Sequence, residues 1–301
     1  MITPIKSSVV LTSCLELENE LNPKYLNALF NSHRFLDYVD EKAAGGVRMN
    51  FKFEYMEDWE IPLPDIDEQA EIVEQIEKQK AIIEGADLIL KNWGIDKNDF
   101  ILPDTEYQFE SINSFAKVGT GSTPSRSVDE YFNGEINWVL TGEISMNKIL
   151  DTSEKLTELA IKDYGLTIYP KNTVLIAMYG QGKTRGQSSL LKIPAAITQN
   201  SAGIICDENE MNPDYLWYYL MSIYDIIRGQ DYSGAGVPHL NLKIIRSIRV
   251  PKPKLQIQAE IVKLIEKKLD TVNSLSQFIE VSKKHMKLIV DNLWSLNPVE
   301  K

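Results

Sequence analysis

The sequence predicts an α/β protein in which a mixed α/β domain is combined with long helices that pair with one another. Three observations carry that expectation. A segment near the N-terminus recurs after 189 to 190 residues, so much of the chain is a duplication. Both copies carry a coiled-coil-like apolar stripe in the same phase. Short apolar runs rich in β-branched residues lie between them, bounded by glycines and prolines. The length of 301 residues, with 43% hydrophobic and 25% charged content, is enough to bury a core and excludes a disordered, collagenous or disulfide-stapled chain.

In chain order, Leu21-Asn22-Pro23-Lys24-Tyr25-Leu26 is echoed by Met211-Asn212-Pro213-Asp214-Tyr215-Leu216, and Gly46-Val47 by Gly236-Val237. Ile61-Pro62-Leu63-Pro64 matches Val250-Pro251-Lys252-Pro253, and Gln69-Ala70-Glu71-Ile72-Val73 matches Gln258-Ala259-Glu260-Ile261-Val262. The first copy therefore corresponds only to the last third of a domain that the second copy carries whole. Leu11-Thr12-Ser13-Cys14 has the outline of a lipoprotein cleavage box, but it lacks a cationic start and the apolar run of about 7 to 15 residues before it. A buried strand is the expectation there.

After Pro62 and Pro64 a long helix is expected over residues 66 to 92, about 40 Å at 1.5 Å per residue. Its seam is Ile72, Ile76, Gln79, Ile83, Ala86 and Leu90. The second copy repeats it as Ile261, Ile265, Lys268, Val272, Leu275 and Ile279, and its helix continues past Met286, Ile289 and Leu293. Between the helices, strands are expected at Ile136 to Leu140, Thr173 to Tyr179, Ala202 to Cys206 and Ile248 to Val250, with a helix from Asp214 to Gly229. Trp138, Trp217, Tyr218 and Tyr219 read as core, with base stacking the alternative for Trp138, which lies on a strand near a loop.

The net charge of −11 argues against a chain coated in nucleic acid or anionic lipid, yet it is unevenly spread. Residues Glu54 to Asp87 hold twelve acids against Lys78 and Lys80. Lys171 to Lys192 holds four basic residues and no acid, and Arg228 to Lys254 six against Asp231. A basic face beside an acidic helix is compatible with phosphate contact. Cys14 and Cys206 form no CxxC pair, and His33, His239 and His285 have no metal-ligand spacing, so zinc is not expected and a reducing cytoplasm is. No apolar run reaches the roughly 18 to 20 residues of a membrane span.

Gly180-Gln181-Gly182-Lys183-Thr184-Arg185-Gly186-Gln187 combines backbone freedom with the donors that read phosphates and base edges. It is also readable as a plain basic hairpin turn. A nucleotide P-loop is excluded because Ala177 stands where that motif needs its first glycine. Gly119 to Arg126 and Ser233 to His239 are weaker loops of the same kind. Catalytic patterns are wanting: there is no G-x-S-x-G elbow, Glu143 has no partner carboxylate at a telling spacing, and Asn297-Pro298-Val299 is a poor imitation of a methyltransferase motif. The candidate DNA-contacting residues are Ser122, Thr123, Ser125, Arg126, Gln181, Lys183, Thr184, Arg185, Gln187, Ser233, His239 and Lys243. The candidate helix-pair residues are Ile72, Ile76, Ile83, Leu90, Ile261, Ile265, Val272 and Ile279.

Gly121-Ser122-Thr123-Pro124-Ser125, then Tyr131 to Trp138, Thr141-Gly142-Glu143-Ile144 and Ile176-Ala177-Met178-Tyr179-Gly180 together resemble the target recognition domain of type I restriction-modification specificity subunits. The two proline-flanked junctions resemble the entries to their spacer helices. The resemblance implies residues 1–61 as the C-terminal part of a first target recognition domain and 62–103 as the first spacer helix and linker. It implies 104–251 as a complete second recognition domain and 252–301 as the second spacer helix. The helices would pair as an antiparallel coiled coil. It further implies a non-enzymatic reader of double-stranded DNA, docked by methyltransferase (modification) subunits and joined by restriction subunits, with S-adenosylmethionine and ATP on those partners and no cofactor or metal here. A second fragment or copy would complete the first recognition domain. The alternative is a scaffold or decoy that docks the methyltransferase without reading a full bipartite site.

Overall fold

The computed structural model describes residues 5–6, 20–43, 59–101, 107–180, 182–229 and 239–296. Cys14 with its box, Gly46-Val47, Gln181, Ser233, Gly236-Val237 and Asn297 to Val299 lie outside the described residues. In chain order the elements are β1 (Ile5–Lys6), α1 (Pro23–Phe30), α2 (His33–Ala43), β2 (Glu60–Ile61), α3 (Ile66–Asn92), β3 (Gln108–Ser111), α4 (Ile112–Phe115) and β4 (Ala116–Thr120). Next come β5 (Phe132–Val139), β6 (Lys148–Ile149), β7 (Glu154–Leu156), α5 (Glu158–Tyr164), β8 (Val174–Ala177), β9 (Ser188–Leu191), β10 (Ala196–Ile197) and β11 (Ser201–Cys206). They are followed by α6 (Pro213–Ser222), α7 (Tyr224–Gly229), α8 (Leu242–Ser247), β12 (Arg249–Lys252) and α9 (Leu255–Asn292). The chain divides into two units, residues 1–93 with 270–301, and residues 94–269.

In the first unit, Asn22 caps α1 by accepting the Lys24 N–H at 2.9 Å, and Pro23 supplies a preset φ at the first helical position. The helix expected over 66 to 92 is found as α3. Asp65 caps it through the Glu68 N–H at 2.8 Å, and Asp67 and Glu68 meet the positive end of its dipole. Tyr25 and Leu29 of α1 are buried with Ile61, Val73, Leu293 and Trp294.

The C-terminal half of α9 runs antiparallel to α3. Ile83 and Ala86 meet Ile279, with Leu90, Leu275 and Met286 alongside, whereas Ile76 meets Val290, with Ile72, Met286 and Ile289 alongside. Partners thus rise in number along one helix as they fall along the other. The seam read on α3 lies on its buried side, but the second copy's seam is shared between two tasks. Leu275 and Ile279 face α3, and Val272 is half-buried. Ile261 and Ile265 instead belong to the core of the second unit, which corrects their assignment to the helix pair. A helix anchored on a domain by its first turns spends that part of its apolar stripe on the domain's core.

The second unit is the mixed α/β domain. Among the described residues its strands form a five-stranded sheet in the order β4-β11-β8-β9-β6, a three-stranded sheet β10-β5-β7 and a pair β12-β3. All four residues of β8 are buried, as a central strand demands. α6 buries Tyr215, Leu216, Trp217, Tyr218, Tyr219 and Leu220 in the same core as Val174 and Ile176. The helix expected from Asp214 to Gly229 breaks at Ile223 into α6 and α7. Trp138 is 0% exposed among Leu156, Ala160 and Ala196, a core residue as its sequence reading had it, which leaves no face for the alternative of stacking on a base.

The duplication extends to hydrogen bonds. Gln69 and Gln258 are both fully buried. The side-chain carbonyl of each accepts a backbone N–H at 2.8 Å, from Asn22 and Asn212 respectively. The Gln69 amide donates to the carbonyls of Glu20 and Pro64, and that of Gln258 to those of Glu210 and Pro253. Tyr25 and Tyr215 complete the match by donating their hydroxyls to the carbonyls of Pro62 and Pro251. The prolines lack an N–H and break the helix, leaving carbonyls that a glutamine in the first turn satisfies. No helix among the described residues is long and apolar enough to cross a membrane, and no His/Cys/Asp/Glu group among them could hold a metal ion.

Candidate nucleic-acid interface

Strand register gathers three connections at one end of the five-stranded sheet. β4 and β8 both pair antiparallel with β11, through Thr120↔Ala202 and Ala177↔Ser201, and β8 pairs antiparallel with β9 through Ile176↔Ser188. The C-terminal ends of β4 and β8 and the N-terminal ends of β11 and β9 therefore coincide. The loops starting at Gly121 and at Met178, and the turn at 198–200, leave from that end. β4 and β8 are two strand spacings apart, roughly 10 Å.

The Met178 to Gln187 connection is tied at its base by Ala177 N–H to the Gln187 carbonyl at 3.0 Å and by Gly186 N–H to the Ala177 carbonyl at 2.9 Å. Gln187 N–H also donates to the Thr184 carbonyl at 3.0 Å. Two glycines are required here. Gly180 has φ 145°, and a Cβ on it would stand 2.7 Å from the Thr184 Cβ; Gly186 has φ 86°, and a Cβ on it would meet the Arg228 backbone nitrogen at 3.3 Å. The loop is thus folded on itself and laid against α7.

Lys183 is exposed, while Thr184, Arg185 and Gln187 are half-buried. Arg185 donates from Nη2 to the Arg228 carbonyl at 3.1 Å, and its Nη1 is buried without a hydrogen-bond partner. His239 stacks on Tyr179 with ring centroids 5.0 Å apart and 3° between planes, and Leu240 N–H donates to the Met178 carbonyl at 3.0 Å. Its segment therefore borders the glycine-rich loop. Ser122 donates its N–H to the Ile197 carbonyl at 3.2 Å, and Thr123 is half-buried beside it. Lys243 is exposed on α8, whose Arg246 donates to the Val118 carbonyl at 2.8 Å.

Arg126 is brought elsewhere. Its guanidinium makes a two-pronged bond to Glu154 at 2.5 and 2.9 Å and lies over Phe132 and Trp138, while Ser125 N–H donates to the Tyr164 hydroxyl. Lys192, counted in a basic stretch, is paired with Asp214 at 3.3 Å, and Lys252 with Glu110 and Glu210. None of Lys183, Arg185, Arg228 and Lys243 has a carboxylate partner among the described residues. Glu143 is structural: its carboxylate accepts the backbone N–H groups of Leu140 and Ser153 at 2.7 and 2.8 Å. Tyr224 and Arg228 were missed at sequence level as part of this site, although Arg228 opens the second basic stretch.

A family model described as the type I restriction modification DNA specificity domain matches residues 104–281, more than half of the chain. The chain belongs to that family. Among curated relatives of this family, the EcoR124I/EcoR124II specificity subunit of Escherichia coli is 25% identical over 78% of this chain and 62% of its own length. The MjaIX specificity subunit of Methanocaldococcus jannaschii is 24% identical over 86% of this chain and 66% of its own. The chain thus spans less than two thirds of the length of either relative. Among solved structures, one titled as the HsdS subunit from Thermoanaerobacter tengcongensis has a TM-score of 0.55 at 15% identity, covering 92% of this chain and 71% of that one. A chain from a structure describing complex assembly and conformational transition of the type I R-M system has a TM-score of 0.61 at 14% identity, covering 90% and 70%. At these identities the likeness is one of fold, and it includes the mixed α/β domain with its long C-terminal helix.

Proposed function

We propose that this chain reads double-stranded DNA as the specificity subunit of a type I restriction-modification assembly. The observation that carries the reading is the pair of donors without carboxylate partners among the described residues, Lys183 and Arg185, on a glycine-shaped loop at one end of the sheet, inside the segment the family model matches. Such a loop offers phosphate contacts for register and Arg or Gln side chains for base edges. The scaffold reading gains no support from the relatives, each described as a specificity subunit.

In this reading the chain is non-catalytic. Methyltransferase (modification) subunits dock around the helix pair, restriction subunits join them, and S-adenosylmethionine and ATP are held by those partners. A second fragment or copy completes the first recognition domain. The free Cys206 supports a cytoplasmic setting.

The test is electrophoretic mobility of the full chain with purified methyltransferase subunit, using duplexes selected from a random-sequence pool. Retention of a bipartite duplex over its separate half-sites supports a complete reader. Equal retention of selected and scrambled duplexes removes sequence recognition from the chain.

A further inference from the structure

The glycine-rich loop is held by groups outside itself. The Tyr224 hydroxyl donates to the Lys183 carbonyl at 2.6 Å, at the loop's far turn, and accepts from Arg228 Nη1 at 2.7 Å. The Arg228 guanidinium lies 5.9 Å from the Tyr224 ring centroid, and its backbone carbonyl receives Arg185. One tyrosine and one arginine on the short helix α7 therefore grip the loop at Lys183 and Arg185. A hairpin connection of this length, with three glycines inside it, would otherwise sample many conformations.

The gripped side chain is itself unfinished. Arg185 Nη1 is buried with no acceptor, and a charged donor left unpaired costs more than a neutral one. No carboxylate pairs with Arg185 or Arg228 among the described residues, so two guanidiniums share one carbonyl and one hydroxyl. Arg185 as a whole is only half-buried and has no carboxylate partner among the described residues, and a phosphate or a guanine edge presents the paired acceptors that a guanidinium fork matches.

Resting on the DNA-reading proposal above, we infer that Tyr224 and Arg228 are positioning residues that fix the Gly182–Gly186 turn so that Arg185 discriminates between base pairs. Neither needs to touch DNA. A loop fixed in advance loses less conformational entropy on binding and presents Arg185 in one direction, which separates right from wrong sequences more than it raises non-specific affinity.

Tyr224→Phe keeps the ring and removes the hydroxyl, and Arg228→Lys keeps the charge and removes the fork. Two measurements on the full chain test the inference. In limited trypsin digestion without DNA, both variants are expected to be cleaved after Lys183 or Arg185 about fivefold faster than the parent, as loss of one or two hydrogen bonds implies. With the methyltransferase subunit present, the affinity ratio between a pool-selected duplex and its scrambled version is expected to fall about fivefold, while the slope of log affinity against log salt stays unchanged because no charge is lost. Unchanged cleavage and an unchanged ratio in both variants would overturn the inference.

Lys183→Ala, run alongside, separates the two claims. If it weakens binding and flattens the slope while Tyr224→Phe does nothing, the positioning role falls and DNA reading stands. If Lys183→Ala leaves binding and slope as in the parent, the loop is not the reading surface and both fall. A melting temperature for each variant excludes general unfolding as the cause of a loss.

Discussion

The side-chain carbonyl of the fully buried Gln258 accepts the backbone N–H of Asn212 at 2.8 Å, and the same amide group donates to two carbonyls. Gln69 stands in the same relation to Asn22, so the duplication seen in the sequence is a duplicated hydrogen-bond network.

Gln258→Met keeps the volume and strands one N–H and two carbonyls. The expected loss is about 3 to 5 kcal/mol, the lower part of the range set by roughly 1 to 3 kcal/mol for each of the three stranded groups, because two of the three bonds are only partly buried. Tyr215→Phe, which loses the bond to the Pro251 carbonyl, is expected to cost about 1 kcal/mol. Urea unfolding followed by tryptophan fluorescence measures both, and a loss below about 1 kcal/mol for Gln258→Met would contradict the weight given to the network.

Along the helix pair, burial should decide the outcome of truncation. Ile83→Ala, at the contact with Ile279, is expected to cost about 3 kcal/mol. Leu88→Ala, on a side chain 61% exposed, should stay within about 0.5 kcal/mol. Thermal melts followed by circular dichroism compare the two. Equal effects would mean that the observed phase of α3 is wrong.

Much of this was legible in the sequence. Identical residues at a shift of 189 to 190 located both networks, because each of Asn22, Tyr25, Gln69 and their counterparts makes the same bonds. The seam of α3 was legible from period alone. The division of labour along α9 was not, since Ile261 and Ile279 look alike in a stripe and differ only in what packs on them. In the site, the loop was found from its glycines and basic residues. That Arg126 is held by Glu154 was not legible, because its partner is brought to it by β7 pairing with β5, a non-local event. Tyr224 carries no local signal, since a tyrosine inside a segment that reads as one helix from Asp214 to Gly229 says nothing about the carbonyl its hydroxyl reaches.

Arg126 and Lys183 should therefore behave differently as cations. Lys183→Ala is expected to lower duplex binding and reduce the salt slope by about one. Arg126→Ala, whose guanidinium is already committed to Glu154, should leave the slope as it is. Fluorescence anisotropy at several salt concentrations reads both, and a slope lowered equally by the two substitutions would show that Arg126 exchanges Glu154 for phosphate.

Burial, with Glu208 adding to it, pushes the Cys206 thiol from its ordinary 9.0 up to about 12. The folded thiol then stays protonated where the unfolded one ionises, so stability present below pH 9 is lost as pH rises from 9 toward 12. Tyr169 and Tyr219, also raised by burial, act in the same direction. At pH 8.5, iodoacetamide should label Cys206 at least about tenfold more slowly in the native chain than in urea, as read by mass spectrometry of its peptide. Equal rates would show the thiol to be accessible and ionisable in the fold.

Because the two glutamine networks are built from the same residue types, chemistry alone does not tell Gln69 to choose Asn22 over Asn212. Connectivity does. The correct partners are 47 and 46 residues apart, whereas joining Gln69 to Asn212 closes a loop roughly threefold longer, a difference of only about 1 kcal/mol in closure entropy. A partner offered by a neighbouring chain escapes even that penalty once chains are concentrated. Refolding this protein at high concentration thus favours exchange of matching segments between molecules, and dilute or sequential folding, as on a ribosome, favours the self-matched form.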